Sequence, residues 1–196
     1  MTSNLRRIMI MGVGLASSLV LAGCAGSSSM EPGGQPPTMP KTSTGPEIIN
    51  PKNAAALDVC GLLSSEAATK LGVKPGGEKN SNSLNPAVPD GCMWESPDGG
   101  GKKIGFTAID GRSIKTYYKK SHSYTDFEKI TVAGHPAVRA NKTDPMTGGS
   151  CDIYLASKKN QVVYSYARTP KVGEVNPCDL SKQALELSVS SWPTAK

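Results

Sequence analysis

The chain has 196 residues, with 22 Lys plus Arg against 16 Asp plus Glu, five cysteines and only 5% aromatic residues. That length suits one ordinary domain with a single core. Its opening apolar run, Ile8 to Ala22, is shorter than the roughly 20 residues a helix needs to cross the hydrocarbon core, which argues against a stable membrane span there.

Arg6 and Arg7 precede that run, and Gly12, Gly14, Ser17 and Ser18 interrupt it. A charged start, an apolar middle and small residues at the end define an export signal over residues 1–23. Leu21-Ala22-Gly23-Cys24 resembles the bacterial lipobox, in which a diacylglyceryl group alkylates the thiol and the chain is cut just before the cysteine. Small residues let the backbone enter a protease site in the membrane, and a thiol is the side chain suited to a thioether. Cys24 is therefore expected to be a lipid attachment point, each buried methylene of its acyl chains contributing about 0.8 kcal/mol. The competing view is an ordinary secretory signal with a chance cysteine. The lipid-anchor expectation puts the protein on the extracytoplasmic face of the cell membrane.

From residue 24 to 53 the chain is rich in Gly, Ser, Thr and Pro, and no apolar period of 2 or 3.6 runs through it. Such a stretch buries too little surface to offset its ordering entropy, so it is expected to be a disordered tether. Residues 54–196 remain as a single folded domain. Without Arg6 and Arg7 the balance is 20 basic to 16 acidic side chains, or +4. That suits contact with anionic lipid or envelope polymer, and equally the surface of any soluble domain. Nucleic acid is excluded as a partner by compartment.

In chain order, "GLLSSEAATKLG" after Cys60 carries a helix, with Ser64 as cap, Glu66 in the positive first turn, and Lys70 and Gly72 closing it. "CMWES" opens a strand at Cys92, and "KKIGFTAI" (102–109) alternates apolar with polar positions. "SIKTYYKKSHSYTDFEK" (113–129) reads as a short helix and a loop. "KITVAG" (129–134) and "PAVRAN" (136–141) flank a turn. "CDIYLAS" (151–157) and "NQVVYSYAR" (160–168) form a hairpin. After Cys178, Leu180, Ala184 and Leu187 recur at helical spacing, with Leu185, Val189 and Trp192 alongside. The expectation is an α+β domain: an antiparallel sheet of about five strands flanked by an N-terminal and a C-terminal helix.

With Cys24 set aside, Cys60, Cys92, Cys151 and Cys178 form an even set, which in an exported domain implies two disulfides. No C-x-x-C occurs, and His122 and His135 are the only imidazoles, so neither a metal nor a redox thiol pair is expected. The helix after Cys60 matches the one after Cys178 with one gap, aligning Ser64 with Ser181 and Ala67 with Ala184. A pseudo-twofold arrangement would pair Cys60 with Cys92 and Cys151 with Cys178. The nested pairing, Cys60 with Cys178 and Cys92 with Cys151, stays open.

Catalytic signatures are sparse. No G-x-S-x-G occurs. His135 sits in a turn before Pro136, and His122 lies in a polar, lysine-rich segment. No enzyme activity and no cofactor are expected. The most distinctive surface candidate is "KTYYKKSHSY" (115–124), where Tyr117, Tyr118 and Tyr124 with Lys119 and Lys120 would stack on sugar rings or sit at lipid headgroups. The plainer alternative is a helix burying one tyrosine face with its lysines in water.

"DVCGLLSSEAATKLG" (58–72), "GCMWES" (91–96), "ITVAGHPAV" (130–138), "CDIYLA" (151–156) and "NPCDLSKQALELSVSSW" (176–192) together resemble the actinobacterial lipoprotein family catalogued as domain of unknown function 3558. Ser65 departs from that pattern, which commonly has proline at the first helical position. The resemblance implies a mycobacterial-type envelope lipoprotein with two disulfides and no assigned activity. The expected role is binding of an envelope lipid, glycan or protein partner. The alternatives are a sensory or accessory subunit of a membrane protein complex, and an envelope hydrolase with a histidine beside a serine and a carboxylate.

Overall fold

The structure, a computed structural model, describes residues 46–81 and 89–196. Cys24, the expected signal and most of the expected tether lie outside the described residues. A 3-10 turn at Val59–Leu62 leads into helix α1 (Ser65–Lys70), capped by the Ser64 hydroxyl, which accepts from the Ala67 N–H. Strands β1 (Glu78–Asn80), β2 (Gly91–Glu95) and β3 (Lys103–Asp110) follow, then a short helix α2 (Lys115–Lys119). The second half holds β4 (Asp126–Val132), β5 (His135–Asn141), a one-turn helix α3 (Pro145–Gly148), β6 (Ser150–Lys158), β7 (Gln161–Arg168) and α4 (Pro177–Val189). All seven strands form one antiparallel sheet in the order β1-β2-β3-β7-β6-β5-β4.

The sheet has seven strands where about five were expected. The strand most hidden from the sequence is β1, three exposed polar residues whose pairing with β2 leaves no hydrophobic alternation to detect. Strand β4 also starts earlier than expected, at Asp126, so the loop assigned through residue 129 is half strand. Only the register with β5, Asp126 opposite Asn141, reveals it.

One face of the sheet carries the core. Trp94, Ile104, Phe106, Ile153, Leu155 and Val163 pack there against Leu62, Leu71, Leu185 and Trp192. Small residues bring α4 close to the strands: Ser165 and Ser181 are fully buried and hydrogen-bonded to each other at 2.8 Å. The Trp192 indole N–H donates to the Leu62 carbonyl at 3.0 Å, tying the end of the chain to the first 3-10 turn.

Both disulfides lie on this face, Cys60–Cys92 and Cys151–Cys178. Each joins a helix start to a strand next to the central β3–β7 pair. An approximate twofold axis through the middle of that pair relates Cys92, opposite Phe106, to Cys151, opposite Ala167. The helices follow the symmetry less well. Ser64 is an exposed cap, whereas Ser181 lies inside α4 and is buried, although Ala67 and Ala184 both enter the core.

The folded chain begins before residue 54. The Lys52 N–H donates to the Ser157 carbonyl, the Asn53 N–H to that of Pro193, and Lys52 pairs with Thr194. Gln161, fully buried, accepts from the Ala54 N–H at 2.8 Å and donates to Asp110 at 2.7 Å. Backbone bonding to a distant turn holds residues whose composition alone reads as linker.

The loops closed by the two bridges span 32 and 27 residues. Chain entropy then assigns each bridge about 3.5 kcal/mol. Replacing Cys151 and Cys178 together by alanine should lower unfolding free energy by that amount in urea titration of the full chain. A loss under about 1 kcal/mol would mean that the bridge does not constrain the unfolded state.

Candidate functional site

The outer face of the sheet is unevenly covered. Strand alternation sends Ile104 and Phe106 inward and Gly105, Thr107 and Ile109 outward on β3, and Tyr164, Tyr166 and Arg168 outward on β7. Over the β4–β6 side, Ile114 and Tyr117 from α2 close a second apolar cluster with Val138, Ala140, Ala156 and Val162. Tyr117 stacks on Tyr154 at 4.0 Å between ring centres, and Tyr154 on Tyr164 at 5.0 Å. Over β1, β2 and β3 no described helix lies on this face. An open groove of about 740 Å³ occupies the space, within the roughly 300–1,000 Å³ typical of ligand clefts.

Tyr164 and Tyr166 form the wall of the groove on β7, and Met93 lies across from them. Its floor is glycine. A Cβ on Gly105 would come within 3.0 Å of the Met93 methyl carbon, and one on Gly91 within 2.8 Å of the Thr107 hydroxyl. Even alanine at either position would make a neighbour give way. Along the strands the character changes from Ile109 at one end, through Thr107 and Tyr166, to Lys103 and Arg168 at the other. Lys103 is engaged by Glu95 at 2.5 Å, whereas Arg168 is exposed and in no ion pair among the described residues.

The Tyr164 ring is held in place from behind. Its hydroxyl donates to Asp152 at 2.8 Å, and the Asp152 N–H donates to the Asn141 side chain at 2.7 Å. Asn141 in turn donates to Asp126, which Arg139 grips with two nitrogens at 2.7–3.0 Å. Burial raises the Asp152 carboxyl above the usual range, against the opposing hydrogen bond from Tyr164. Burial, with the neighbouring Asp152 carboxylate, raises the Tyr164 phenol.

The tyrosines and lysines singled out in residues 115–124 do not form one exposed patch. Tyr117 is only 5% exposed and faces the sheet, its hydroxyl accepting from Arg112 at 3.4 Å. Tyr118 is half-buried beneath the Lys129 ammonium, 4.6 Å from its ring centre. Tyr124 stacks on Phe127 at 6.0 Å, with Lys142 at 4.8 Å. Lys119 and Lys120 are exposed. A helix of little more than one turn cannot aim the adjacent Tyr117 and Tyr118 the same way, and Tyr124 lies beyond its end. His135 is buried, its Nδ1 donating to the Ala156 carbonyl at 3.0 Å, and desolvation lowers its pKa. His122 is exposed. Neither is hydrogen-bonded to a serine or a carboxylate among the described residues.

Sequence reading missed Met93, Gly105, Tyr164, Tyr166 and Arg168. A signal for three of them was present. In "VYSYAR" the large residues Tyr164, Tyr166 and Arg168 alternate with the small Ser165 and Ala167, which is what a strand shows with a helix on one side and space on the other.

The family model described as protein of unknown function (DUF3558) matches residues 19–191. The chain belongs to this family. No curated protein and no solved structure matches it. The DUF3558 match takes in both disulfides and every groove residue, and it begins just before the Leu21–Cys24 segment.

The raised Asp152 carboxyl makes a pH prediction for this DUF3558 domain. As pH rises above the ordinary aspartate value of 3.8, the unfolded chain releases this proton before the folded one, so the group's contribution to stability declines across that window. Asp152→Asn keeps an acceptor for Tyr164 and removes the titration. In urea titrations the variant should gain on the wild type between pH 3.8 and neutrality. A constant difference from pH 3 to pH 7 would contradict this.

Proposed function

We propose that this chain is an exported lipoprotein, cut before Cys24 and acylated on its thiol, that binds an envelope molecule non-catalytically in the groove beside Tyr164 and Tyr166. The observation that carries the binding role is the half of the sheet's outer face that no described helix covers. The inner face is sealed by two helices and two disulfides, and α2 covers the other half of the outer face. A tyrosine-walled, glycine-floored groove of ligand size remains. Rigid surroundings and aromatic walls favour recognition over chemistry, since rings supply contact area at low entropic cost. The lipobox-like Leu21–Cys24 segment supports the anchor, and the family match, which assigns no activity, leaves the binding role free.

Two measurements test the two parts. In cells given an alkyne-bearing palmitate, the label should enter the wild-type protein and be absent from Cys24→Ala. Label retained in that variant would overturn the anchor. Native mass spectrometry of full-length protein taken from its own membranes should show a small-molecule adduct that is lost in Tyr166→Ala. Equal adduct in both proteins would place binding elsewhere.

A further inference from the structure

We infer that the groove takes a single acyl chain with an anionic head, the head at Arg168 and the tail running along β3 towards Ile109. This deepens the binding role proposed above and rests on it. The first support is the polarity of the groove. Ile109 marks one end, the rings of Tyr164 and Tyr166 the middle, and Lys103 with Arg168 the other end. Lys103 is already neutralised by Glu95. Arg168 is thus the cation left for a ligand, and its planar fork suits a carboxylate or phosphate.

Length is the second support. Ile109 lies six steps along the strand from Lys103, which at about 3.3 Å per residue is roughly 20 Å of strand. The hydrocarbon core of a bilayer, about 30 Å thick, is two acyl chains end to end, so one extended chain and its head fit this span. The glycine floor matters here. Gly91 and Gly105 leave a channel over the backbone where side chains would otherwise stand, and the flexible Met93 thioether adapts to an apolar occupant.

The test uses full-length protein in phosphatidylcholine vesicles and two photoreactive palmitate probes, one with its diazirine at the last carbon and one with it beside the carboxyl. The first should crosslink to the peptide carrying Ile109, and the second to peptides carrying Lys103 and Arg168. Arg168→Glu should reduce labelling about tenfold, the factor of one charge-assisted hydrogen bond, while Arg168→Lys keeps most of it. The methyl ester of each probe should label as weakly as that variant. Equal labelling by acid and ester, reversed polarity, or labelling unchanged in Arg168→Glu would overturn the inference. A photoreactive oligosaccharide that labels the Tyr164–Arg168 strand where palmitate fails would overturn it too, yet leave the groove as a binding site. If neither probe labels the groove and Tyr166→Ala changes nothing, the binding role itself fails.

Discussion

Cys60, in the 3-10 turn before α1, and Cys178, in the first turn of α4, are both fastened to the same face of one sheet, and the rest of the molecule follows from that. Cys92 and Cys151 occupy inward-facing positions on strands either side of the β3–β7 pair, so their bridges draw the start of α1 and of α4 onto one side. Ser165, Ala167 and Ala184 are small enough to let α4 lie close. The inner face is then complete. With the larger helices committed there, the five-residue α2 is left as the helical cover of the outer face, and it spans only part of it.

The approximate twofold explains where the uncovered part lies. The axis that exchanges β2 with β6 and β3 with β7 sets Tyr166 against Gly105, Tyr164 against Lys103, and Asp152 against Met93. The half with Tyr154 and Asp152 has α2 above it, and its rings stack into a continuous ladder from Tyr117 to Tyr164. The other half has Glu95 and Lys103 in place of the stacked Tyr154 and Tyr164, and Met93 in place of Asp152, so no ladder of rings forms there and the groove stands where a second α2 would be. The carboxyl of Asp152 belongs to the covered half but acts across the boundary, because the phenol it holds is the groove wall.

Much of the fold was legible because its determinants are local. The Ser64 cap, the Gly72 stop at φ +69°, the alternation of β3, β6 and β7, and the apolar spacing of α4 are each written within a dozen residues. Strand β1 was hidden, because an exposed edge strand buries nothing and carries no pattern. Residues 46–53 were hidden for a related reason: backbone hydrogen bonds to Ser157 and Pro193 hold part of them, and composition does not record those bonds. The site was the least legible part. Residues 115–124 are rich in tyrosine and lysine and drew attention, but their rings satisfy packing. The groove is assembled from one outward residue in two on three strands, with glycines whose role is to be absent, and only the register brings them together.

The arrangement at residues 51–54 also decides how the domain bears a mechanical load. Lys52 lies antiparallel to Thr194, and Gln161 clasps the Ala54 backbone from the start of β7. A pull arriving along the chain from its N-terminal side meets the packing of Ile48 and then these few hydrogen bonds, which can open one after another, as a zipper opens. Beyond them, the first covalent stop is Cys60, bonded to Cys92. Tension would thus free a handful of residues while the sheet, both bridges and the groove stay intact.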